Sequence, residues 1–375
     1  MATPSSSAAP AGPDAKGHRT FALAIGVALA VGFAWGAWRI AQLSVAAADW
    51  TPTTWVDGQA GQQFNKALGV LPGQGAIDRA GAALRYRLFG DLGPQVAEGC
   101  PGWLFYRDGL RPRPGHAEAF AQRLVLMRQW TDRLRQAGVR TVVAVVPDKS
   151  RIESEHLCGL PVSLPMQFRL ETFQHALRTA GIPFADLRPP LAALPQAYYR
   201  TDVHMTPEGA EAAADAAAAA ALPLLGGPGA QRFDSRRGDA PVPRMGDLIV
   251  LAGLDAAPEG WRPAIEDIVP EMITAAHAGG LLDDGPPAEV VLLGDSNGLR
   301  SAFAERLGRR LGREVWNQSQ DGGYFAGAML AALARQGRWP ASLKLVVWQF
   351  SELSLSLPLS DDERRALAAL APTAR

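Results

Sequence analysis

Three short, uninterrupted apolar runs constrain the fold of this chain more than any other feature. They are RTVVAVVP at 140–147, EVVLLGDS at 289–296 and LKLVVWQFSE at 343–352. Runs of this length without polar alternation are typical of strands that are buried on both faces of a parallel sheet. IPFADL at 182–187 is a further candidate strand. Helical patterns separate the runs, so we predict an α/β protein whose mostly parallel sheet is covered by helices on both faces.

Helices are predicted where apolar residues recur at helical spacing, at 117–138, 170–181, 207–222, 297–312 and near 325–336. Between them, residues 223–288 are rich in glycine and proline and have weak periodicity, which favours a loop-rich insertion. The main domain is predicted over 50–356. Residues 357–375 are predicted to form a C-terminal helix and tail.

The N-terminal region contains an uncharged apolar stretch at 21–38. A membrane span needs about 20 apolar residues, whereas the apolar core of a cleavable signal has about 7–15. Small residues at 45–49 offer a cleavage site, but Arg39 lies between this site and the apolar stretch, which disfavours cleavage. We therefore predict a transmembrane signal anchor over 21–42, a cytoplasmic tail over 1–20 and a body outside the cytoplasm.

Charge and cysteine content exclude several classes of protein. The chain has 37 Lys and Arg against 37 Asp and Glu, so no basic surplus indicates a nucleic-acid partner. Cys100 and Cys158 are not in CxxC spacing, which disfavours a thioredoxin-like or zinc-binding protein. In an oxidising compartment they are a candidate disulfide, and the alternative is two unpaired buried thiols. No cofactor is predicted.

A serine follows the second apolar run. Gly294, Asp295 and Ser296 come at the carboxyl end of this predicted strand, directly before a predicted helix. Ligands of doubly wound sheets bind beyond the carboxyl ends of strands, and N–H groups at a helix start can stabilise an oxyanion. Ser296 is therefore a candidate nucleophile. The alternative is that Gly-Asp-Ser forms an ordinary turn.

Asp202 and His204 precede an alanine-rich helix. Thr206 is suited to cap this helix and Pro207 to its first position, which places the pair in the loop before it. Residues two apart in an extended loop point the same way, and an aspartate can orient a histidine that acts as the base for a serine. The alternatives are a solvated loop histidine and a helix-capping aspartate. No metal site is predicted, because no spacing signature supplies a third ligand.

The segments VVPDKSRIESEHL, YYRTDVHMTPEGA and LLGDSNG, in this order, resemble the SGNH-type domain of alginate O-acetyltransferases, the AlgJ/AlgX-like group. GWLFYRDG, the GDL at 246–248, NQSQDGG and VVWQF add to the resemblance, which covers roughly 50–355. The Asp/His pair precedes the serine, as in this group, whereas ordinary SGNH hydrolases carry it after the serine. The resemblance implies an SGNH-like three-layer fold.

Residue roles and partners also follow from the resemblance. It implies Ser296 as nucleophile, His204 as base and Asp202 as the group that orients the base. Members of the group are anchored in or exported to the periplasm, which implies a single-pass inner-membrane protein with its catalytic domain in the periplasm. They transfer acetyl groups onto an exopolysaccharide. A membrane-bound, multi-pass acyltransferase helps to deliver the acetyl group across the membrane.

Two positions depart from the pattern of the group. Met205 stands where the D-T-H-W motif has an aromatic residue, and Asn297 stands where an aromatic residue often follows the serine. Both departures put the identity of the polysaccharide in doubt. Lys149, Tyr199, Arg200 and Asn297 are candidates for contact with sugar or acyl donor, and surface or structural roles are the alternative for the first three.

Several residues near the strand ends are candidate donors for an oxyanion. The Ser296 N–H is one candidate. The second is Gly322, Gly323 or the Asn317 side chain, and the alternative for the Asp-Gly-Gly stretch is a plain turn.

Three functions are compatible with the sequence. The predicted one is a periplasmic O-acetyltransferase that forms an acetyl-serine intermediate. The second is an SGNH-type carbohydrate acetylesterase, because no sequence feature reports whether a sugar acceptor outcompetes water. The third is a non-catalytic polysaccharide-binding assembly protein, which the departures at Met205 and Asn297 favour.

Overall fold

The structure is a computed structural model that describes residues 15–42, 51–56, isolated positions between 58 and 69, 73–276 and 287–370. Residues 1–14 and 371–375, parts of the two predicted tails, lie outside this described part, as do 277–286 of the predicted insertion. The chain divides into two compact units, Met1–Asp78 and Arg79–Arg375, and each is described by itself.

The N-terminal unit contains helix α1 (Ala15–Ala41) and the short helix α2 (Pro52–Val56). Within α1, Arg19–Ala41 is long and apolar enough to cross a membrane. The predicted apolar helix is therefore present, and its role as an uncleaved signal anchor stays a prediction.

Helices and strands alternate along the rest of the chain. The helices are α3 (Gln74–Phe89), α4 (Arg107–Leu110), α5 (His116–Gln136), α6 (Lys149–Ile152), α7 (Leu164–Thr179), α8 (Arg188–Ala192), α9 (Pro207–Leu225), α10 (Asp247–Leu251), α11 (Phe303–Leu311), α12 (Gly327–Ala334) and α13 (Asp361–Ala368). The strands are β1 (Val96–Glu98), β2 (Leu104–Tyr106), β3 (Arg140–Val146), β4 (Phe184–Ala185), β5 (Arg232–Arg237), β6 (Val242–Arg244), β7 (Glu266–Ile268), β8 (Glu271–Ala276), β9 (Val290–Leu293), β10 (Val315–Asn317) and β11 (Leu345–Ser351).

Five strands form one parallel sheet in the order β10-β9-β11-β3-β4. The three strongest apolar runs of the sequence are its central strands, as the predicted α/β fold requires. The edge strand β10 was not predicted, because Val315–Asn317 has only three residues and Trp316 is partly exposed. The carboxyl ends of β9, β11 and β3 lie side by side, so the segments that follow these strands meet at one edge of the sheet.

Alternate side chains of the sheet enter two separate cores. In β3, Val142, Ala144 and Val146 belong to a buried cluster with α9 and α11. Val143 and Val145 belong to a second cluster with α5, α7 and α12. Successive strand residues point to opposite faces, so the sheet has a helical layer on each side. This confirms the predicted three layers.

The segment predicted as a loop-rich insertion contains more regular structure than expected. Strands β5 and β8 pair antiparallel, and so do β6 and β7. In the sequence, α10 comes between β6 and β7. The sequence signal was weak because β5 (RFDSRR) is almost entirely exposed, so it shows no apolar alternation. The segment carries side chains that reach the candidate active site.

Candidate active site

Ser296 lies in a tight turn directly after β9. The turn is a short 3-10 helix, Ser296–Gly298, and α11 begins only at Phe303. The predicted helix over 297–312 was therefore wrong in its first part. Ser301 and Ala302, both at φ 52°, interrupt it with left-handed backbone that these residues rarely adopt.

The turn is joined to the neighbouring strand through Asp295. The Ser351 backbone N–H donates to Asp295 Oδ2 at 2.6 Å, and Gln349 Nε2 donates to Asp295 Oδ1 at 2.9 Å. A Cβ atom on Gly294 would lie 2.5 Å from Gln349 Oε1, so no larger residue fits there without a shift. These contacts fix the position of the serine relative to β11.

Asp202 and His204 lie in the loop before α9, as predicted. Thr206 caps the helix, since its Oγ1 accepts a hydrogen bond from the Gly209 N–H at 3.1 Å. His204 Nδ1 lies 2.7 Å from Asp202 Oδ1, and His204 Nε2 lies 2.8 Å from Ser296 Oγ. The structure therefore brings the three side chains within hydrogen-bond distance of one another, in the order carboxylate, imidazole, hydroxyl.

Buried charges hold the backbone of this loop. Glu153 accepts hydrogen bonds from the backbone N–H groups of Ala197 and Tyr198, at 2.8 and 2.9 Å. Glu266 accepts bonds from those of Arg200 and Thr201, at 2.9 and 3.0 Å. The loop outside regular structure thus has its polar groups satisfied by side chains from elsewhere.

Lys149 holds the same loop from its carbonyl side. Its Nζ donates to the backbone oxygens of Leu104 and Arg200 at 2.7 Å and of Asp202 at 3.1 Å. An ammonium group has three N–H donors, and all three have an acceptor here. Burial lowers the pKa of Lys149 to about 7. Lys149 thus binds the loop that carries the Asp/His pair and also lines the cavity beside Ser296, so its predicted contact with sugar or acyl donor stays a prediction.

Two charged side chains from the predicted insertion complete the site. Arg244 Nη2 donates to Asp202 Oδ2 at 2.6 Å, and Asp247 Oδ2 lies 3.2 Å from His204 Nδ1. Asp202 and His204 are fully buried, whereas the Asp247 side chain is 48% exposed. The imidazole therefore has a close buried carboxylate and a second, more distant one that faces solvent.

The electrostatic balance favours the charged forms of the pair. Burial alone would raise the pKa of Asp202 and lower that of His204, because each charge loses water. The hydrogen bond between them, with the charges of Arg244 and Asp247, outweighs burial. The pKa of Asp202 is well below its ordinary value, and the pKa of His204 is raised to about 9.

Ser296 and His204 face a cavity of about 290 Å³, called here the Ser296 cavity. Ser296, His204 and Asp247 line it together with Leu248 and Leu251 of α10. A cavity of this size suits a small acyl group and part of one sugar ring.

The candidate oxyanion donors are not equally placed. Ser296 and Gly322 line the Ser296 cavity. The Gly323 N–H donates to the Gln320 oxygen at 3.0 Å, and Asn317 Nδ2 donates to the Gly298 oxygen at 2.9 Å. Gly323 and Asn317 are thus engaged within the protein, which leaves Ser296 and Gly322 as the candidates.

The remaining candidates for substrate contact separate into two places. Asn297 is buried and lines the Ser296 cavity, and its Oδ1 atom has no hydrogen-bond partner within the described part of the chain. Tyr199 and Arg200 lie instead at a separate depression on the other side of the loop. The Arg244 guanidinium lies over the Tyr199 ring, with its Cζ atom 4.5 Å from the centroid of that ring. Neither residue lines the Ser296 cavity.

Sequence reasoning missed Arg244, Asp247 and Glu266 as site residues. All three belong to the segment taken for a loop-rich insertion, and they meet the loop only through the tertiary fold. One signal was available, because Asp247 lies in the GDL stretch that contributed to the family resemblance.

Asp247 is a potential third metal ligand beside Asp202 and His204, which the sequence did not reveal. Asp202, His204 and Asp247 each place one potential metal ligand atom within 4.8 Å of the others. An ion there would compete for His204 Nδ1, which donates to Asp202. The absence of a metal stays a prediction.

Cys100 and Cys158 are joined by a disulfide in the structure. The bond links the turn after β1 to the segment after α6, where the Cys100 N–H also donates to the His156 oxygen at 2.8 Å. Of the two alternatives for these cysteines, the structure contains the pair, which suits an oxidising compartment.

Comparison with known proteins identifies the domain. Residues 96–352 match the family described as "SGNH hydrolase-like domain, acetyltransferase AlgX". A probable alginate O-acetylase AlgJ from Pseudomonas putida is 32% identical over 293 residues, 75% of each chain. The same function is named for a 31% identical AlgJ of Pseudomonas aeruginosa, again over 75% of each chain.

A solved structure gives the same result. The O-acetyltransferase domain of Pseudomonas putida AlgJ superimposes with a TM-score of 0.64 at 29% identity, over 74% of this chain and 98% of that one. This confirms the predicted SGNH-like α/β fold. The chain belongs to the AlgJ/AlgX family of alginate O-acetylases and carries its SGNH hydrolase-like domain.

Proposed function

We propose that this protein transfers acetyl groups onto hydroxyls of an exopolysaccharide through an acetyl-serine intermediate. One observation carries the proposal: Ser296 Oγ lies 2.8 Å from His204 Nε2, His204 Nδ1 lies 2.7 Å from Asp202 Oδ1, and the serine and the imidazole line a cavity. This is the arrangement that activates a serine for acyl transfer.

In the first half-reaction, His204 Nε2 takes the proton of Ser296 Oγ as the oxygen attacks the acetyl carbonyl. The C–O bond to serine forms and the carbonyl oxygen becomes an oxyanion, for which the N–H groups of Ser296 and Gly322 are the candidate donors. The oxyanion collapses, the bond to the donor's leaving group breaks, and the imidazolium returns the proton to that group. Acetyl-serine remains.

In the second half-reaction, a sugar hydroxyl enters the Ser296 cavity. His204 takes its proton, and the sugar oxygen attacks the acetyl-serine carbonyl. The bond to Ser296 Oγ then breaks and the serine regains the proton from His204. Asn297 lines the same cavity and is the residue that we assign to contact another hydroxyl of the sugar.

Four charges balance when the imidazolium forms. Asp202 and Asp247 are negative, and Arg244 and His204 are then positive. Arg244 shares the Asp202 carboxylate with the imidazole, since it bonds the second oxygen. Asp247 supplies additional negative charge at Nδ1. The site thereby stabilises the charged ring that both half-reactions require, without an unpaired buried charge.

Replacing Asp247 with asparagine should move the acid limb of the pH–rate profile to lower pH. The neutral ring is the base, so activity rises as pH rises through the His204 pKa, which is raised to about 9. Asp247 favours the charged ring, and its loss lowers this pKa. Asp247 is about half exposed and its charge is screened by solvent, so the effect is about 0.2–1 kcal/mol, less than one pH unit. Ester hydrolysis measured from pH 5 to 10 tests this, and a limb that stays in place contradicts it.

Asp321→Asn is a matched control for that measurement. Asp321 also lines the Ser296 cavity, but its carboxylate pairs with Arg300 at 3.1 Å. Its loss removes a cavity carboxylate without removing a partner of His204. The acid limb should keep its position in this variant.

The test of transfer is a competition between sugar and water. The full-length chain in detergent is given p-nitrophenyl acetate with and without alginate oligosaccharides, and acetylated sugar and free acetate are both measured. Acetylated oligosaccharide supports transfer. Release of acetate alone, at every acceptor concentration, shows an esterase. If the protein binds the glycan but shows neither turnover nor labelling by a serine-directed reagent, it is a non-catalytic assembly protein.

We also propose that α1 is an uncleaved anchor in the inner membrane, that the domain lies in the periplasm, and that a multi-pass acyltransferase supplies the acetyl group. The 23-residue apolar stretch, the disulfide and the family support this placement. Protease added to spheroplasts should digest the domain, and protection would place it in the cytoplasm.

A further inference from the structure

A second cavity adjoins the Ser296 cavity and shares part of its wall. Its volume is about 440 Å³. Tyr106, Asp321, Gly322 and Tyr324 line both cavities. A ligand bound at Ser296 can therefore extend past this shared wall without leaving the protein surface. We call the second space the Tyr324 cavity.

Tyr324 is held at the junction in an unusual backbone conformation. Its φ of 46° lies in the left-handed region, which bulky residues adopt only where the surrounding structure maintains it, at a cost of about 1–3 kcal/mol. The preceding turn includes Gly322 at φ 66°. Tyr324 is nonetheless 53% exposed, so its ring is not there to fill a core. Strain of this kind concentrates at ligand-binding sites.

The charged side chains that line the Tyr324 cavity are all paired within the protein. Arg113 pairs with Asp108 at 2.6 Å and Arg123 with Glu363 at 2.7 Å. The other two pairs are Asp321 with Arg300, at 3.1 Å, and Asp362 with Arg365. Acidic and basic groups are thus balanced, and the described residues that line this cavity include no cluster of cations for a polyanion.

The other lining groups suit a ligand rich in hydroxyls. Gln320 and Ser360 are exposed and offer hydrogen-bond donors and acceptors. Arg113 is 45% exposed, and its pairing with Asp108 holds the guanidinium in place. The aromatic rings of Tyr106 and Tyr324 offer apolar surface with a polar tip. Stacking surface and fixed polar groups together match the C–H face and the hydroxyls of a sugar.

We propose that the Tyr324 cavity binds the sugar residues next to the one that is acetylated, and that it recognises them by stacking and hydrogen bonds rather than by charge. This rests on the proposed O-acetyltransferase function. It means that the acceptor is an oligosaccharide or polysaccharide rather than a single sugar. Affinity for the acceptor should then grow with its length and respond little to salt, because paired charges contribute no long-range attraction.

The experiment measures binding, so that it does not depend on turnover. The full-length Ser296→Ala protein in detergent is titrated by calorimetry with alginate oligosaccharides and with cello-oligosaccharides, from disaccharide to octasaccharide, at low and high salt. In at least one series, Kd should fall about tenfold with length, with little change between salt concentrations. No gain with length in either series would overturn the proposal, and so would a gain that is lost at high salt.

Two variants test whether the gain in affinity with acceptor length comes from the Tyr324 cavity. Tyr324→Gly removes the ring and suits the left-handed backbone, so a loss of affinity there is not due to added strain. Arg113→Gln removes the guanidinium. Both should abolish most of the length dependence. Phe168→Ala is the control, since Phe168 is 56% exposed and lines neither cavity, and it should keep the length dependence. Full length dependence in Tyr324→Gly would overturn the assignment of the cavity.

The failure of this proposal differs from failure of the proposed function. If acetyl is transferred to a disaccharide but longer chains bind no more tightly, the role proposed for the Tyr324 cavity is wrong and the acetyltransferase function stands. If binding grows with chain length but no acetyl is transferred, the role of the cavity stands and the acetyltransferase function is wrong.

Discussion

Ser296→Ala should lower hydrolysis of an acetyl ester, and transfer to a sugar, by about 10⁴- to 10⁶-fold. The proposed route forms a covalent bond to Ser296 Oγ, and alanine has no atom to replace it. The fold should be unaffected, because the hydroxyl contacts His204 and loses only that hydrogen bond. Turnover of p-nitrophenyl acetate by the parent and the variant measures the effect, and a thermal melt confirms that the variant is folded.

A serine-directed fluorophosphonate separates a reactive serine from a merely accessible one. Labelling should be lost in Ser296→Ala and retained in Ser351→Ala. Ser351 is the matched control because it lines the same cavity as Ser296, and its Oγ accepts the Leu353 N–H instead of bonding an imidazole. Full turnover or full labelling in Ser296→Ala would remove this serine from the mechanism. Absence of both turnover and labelling in the parent protein would instead favour the scaffold function.

The sheet could be predicted from the sequence because its central strands are buried on both faces. Apolar runs such as 140–147 and 343–352 have few other interpretations when helical patterns flank them. The edge strand β10 and the exposed strands of the predicted insertion could not be predicted, for the opposite reason. A strand whose side chains face water carries polar residues, and its identity then depends on backbone pairing that composition does not show.

The residues of the site divide in the same way. Ser296 was identified by its place after a buried strand, and Asp202 and His204 by their spacing before a capped helix. Both are local signals. Arg244 and Asp247 act on the pair across the fold. No local pattern marks Arg244, and Asp247 is marked only by the GDL stretch of the family resemblance. Their side chains reach the loop only because the antiparallel pair of β6 and β7 places α10 beside it.

Lys149 shows which part of a residue's role a local signal leaves out. Its place in a loop at a strand end is typical of a ligand-binding residue, and the sequence does not reveal that three backbone carbonyls take up its donors. Together with Glu153 and Glu266, it replaces the hydrogen bonds that a helix or strand would have supplied to the loop. The Asp/His pair can therefore lie outside regular structure and still be held in position.

Asp202→Asn should reduce the rate by about 10⁴-fold, far more than Asp247→Asn. Both carboxylates reach His204 Nδ1, but Asp202 is closer, at 2.7 against 3.2 Å, and fully buried. It also accepts the His204 backbone N–H at 3.0 Å, which fixes it relative to the ring. An asparagine NH₂ facing Nδ1 would favour the tautomer with its proton on Nε2, which cannot accept a proton from Ser296.

Loss of the Asp202 charge also leaves Arg244 without its partner, so a fall in rate alone would be ambiguous. Asp202→Asn/Arg244→Gln resolves this, because it removes the unpaired guanidinium as well. The double variant should recover thermal stability relative to Asp202→Asn and remain about 10⁴-fold slow. If Asp202→Asn is folded and stays within tenfold of the parent while Asp247→Asn loses activity, the solvent-facing carboxylate orients the base, and the roles proposed for the two aspartates are exchanged.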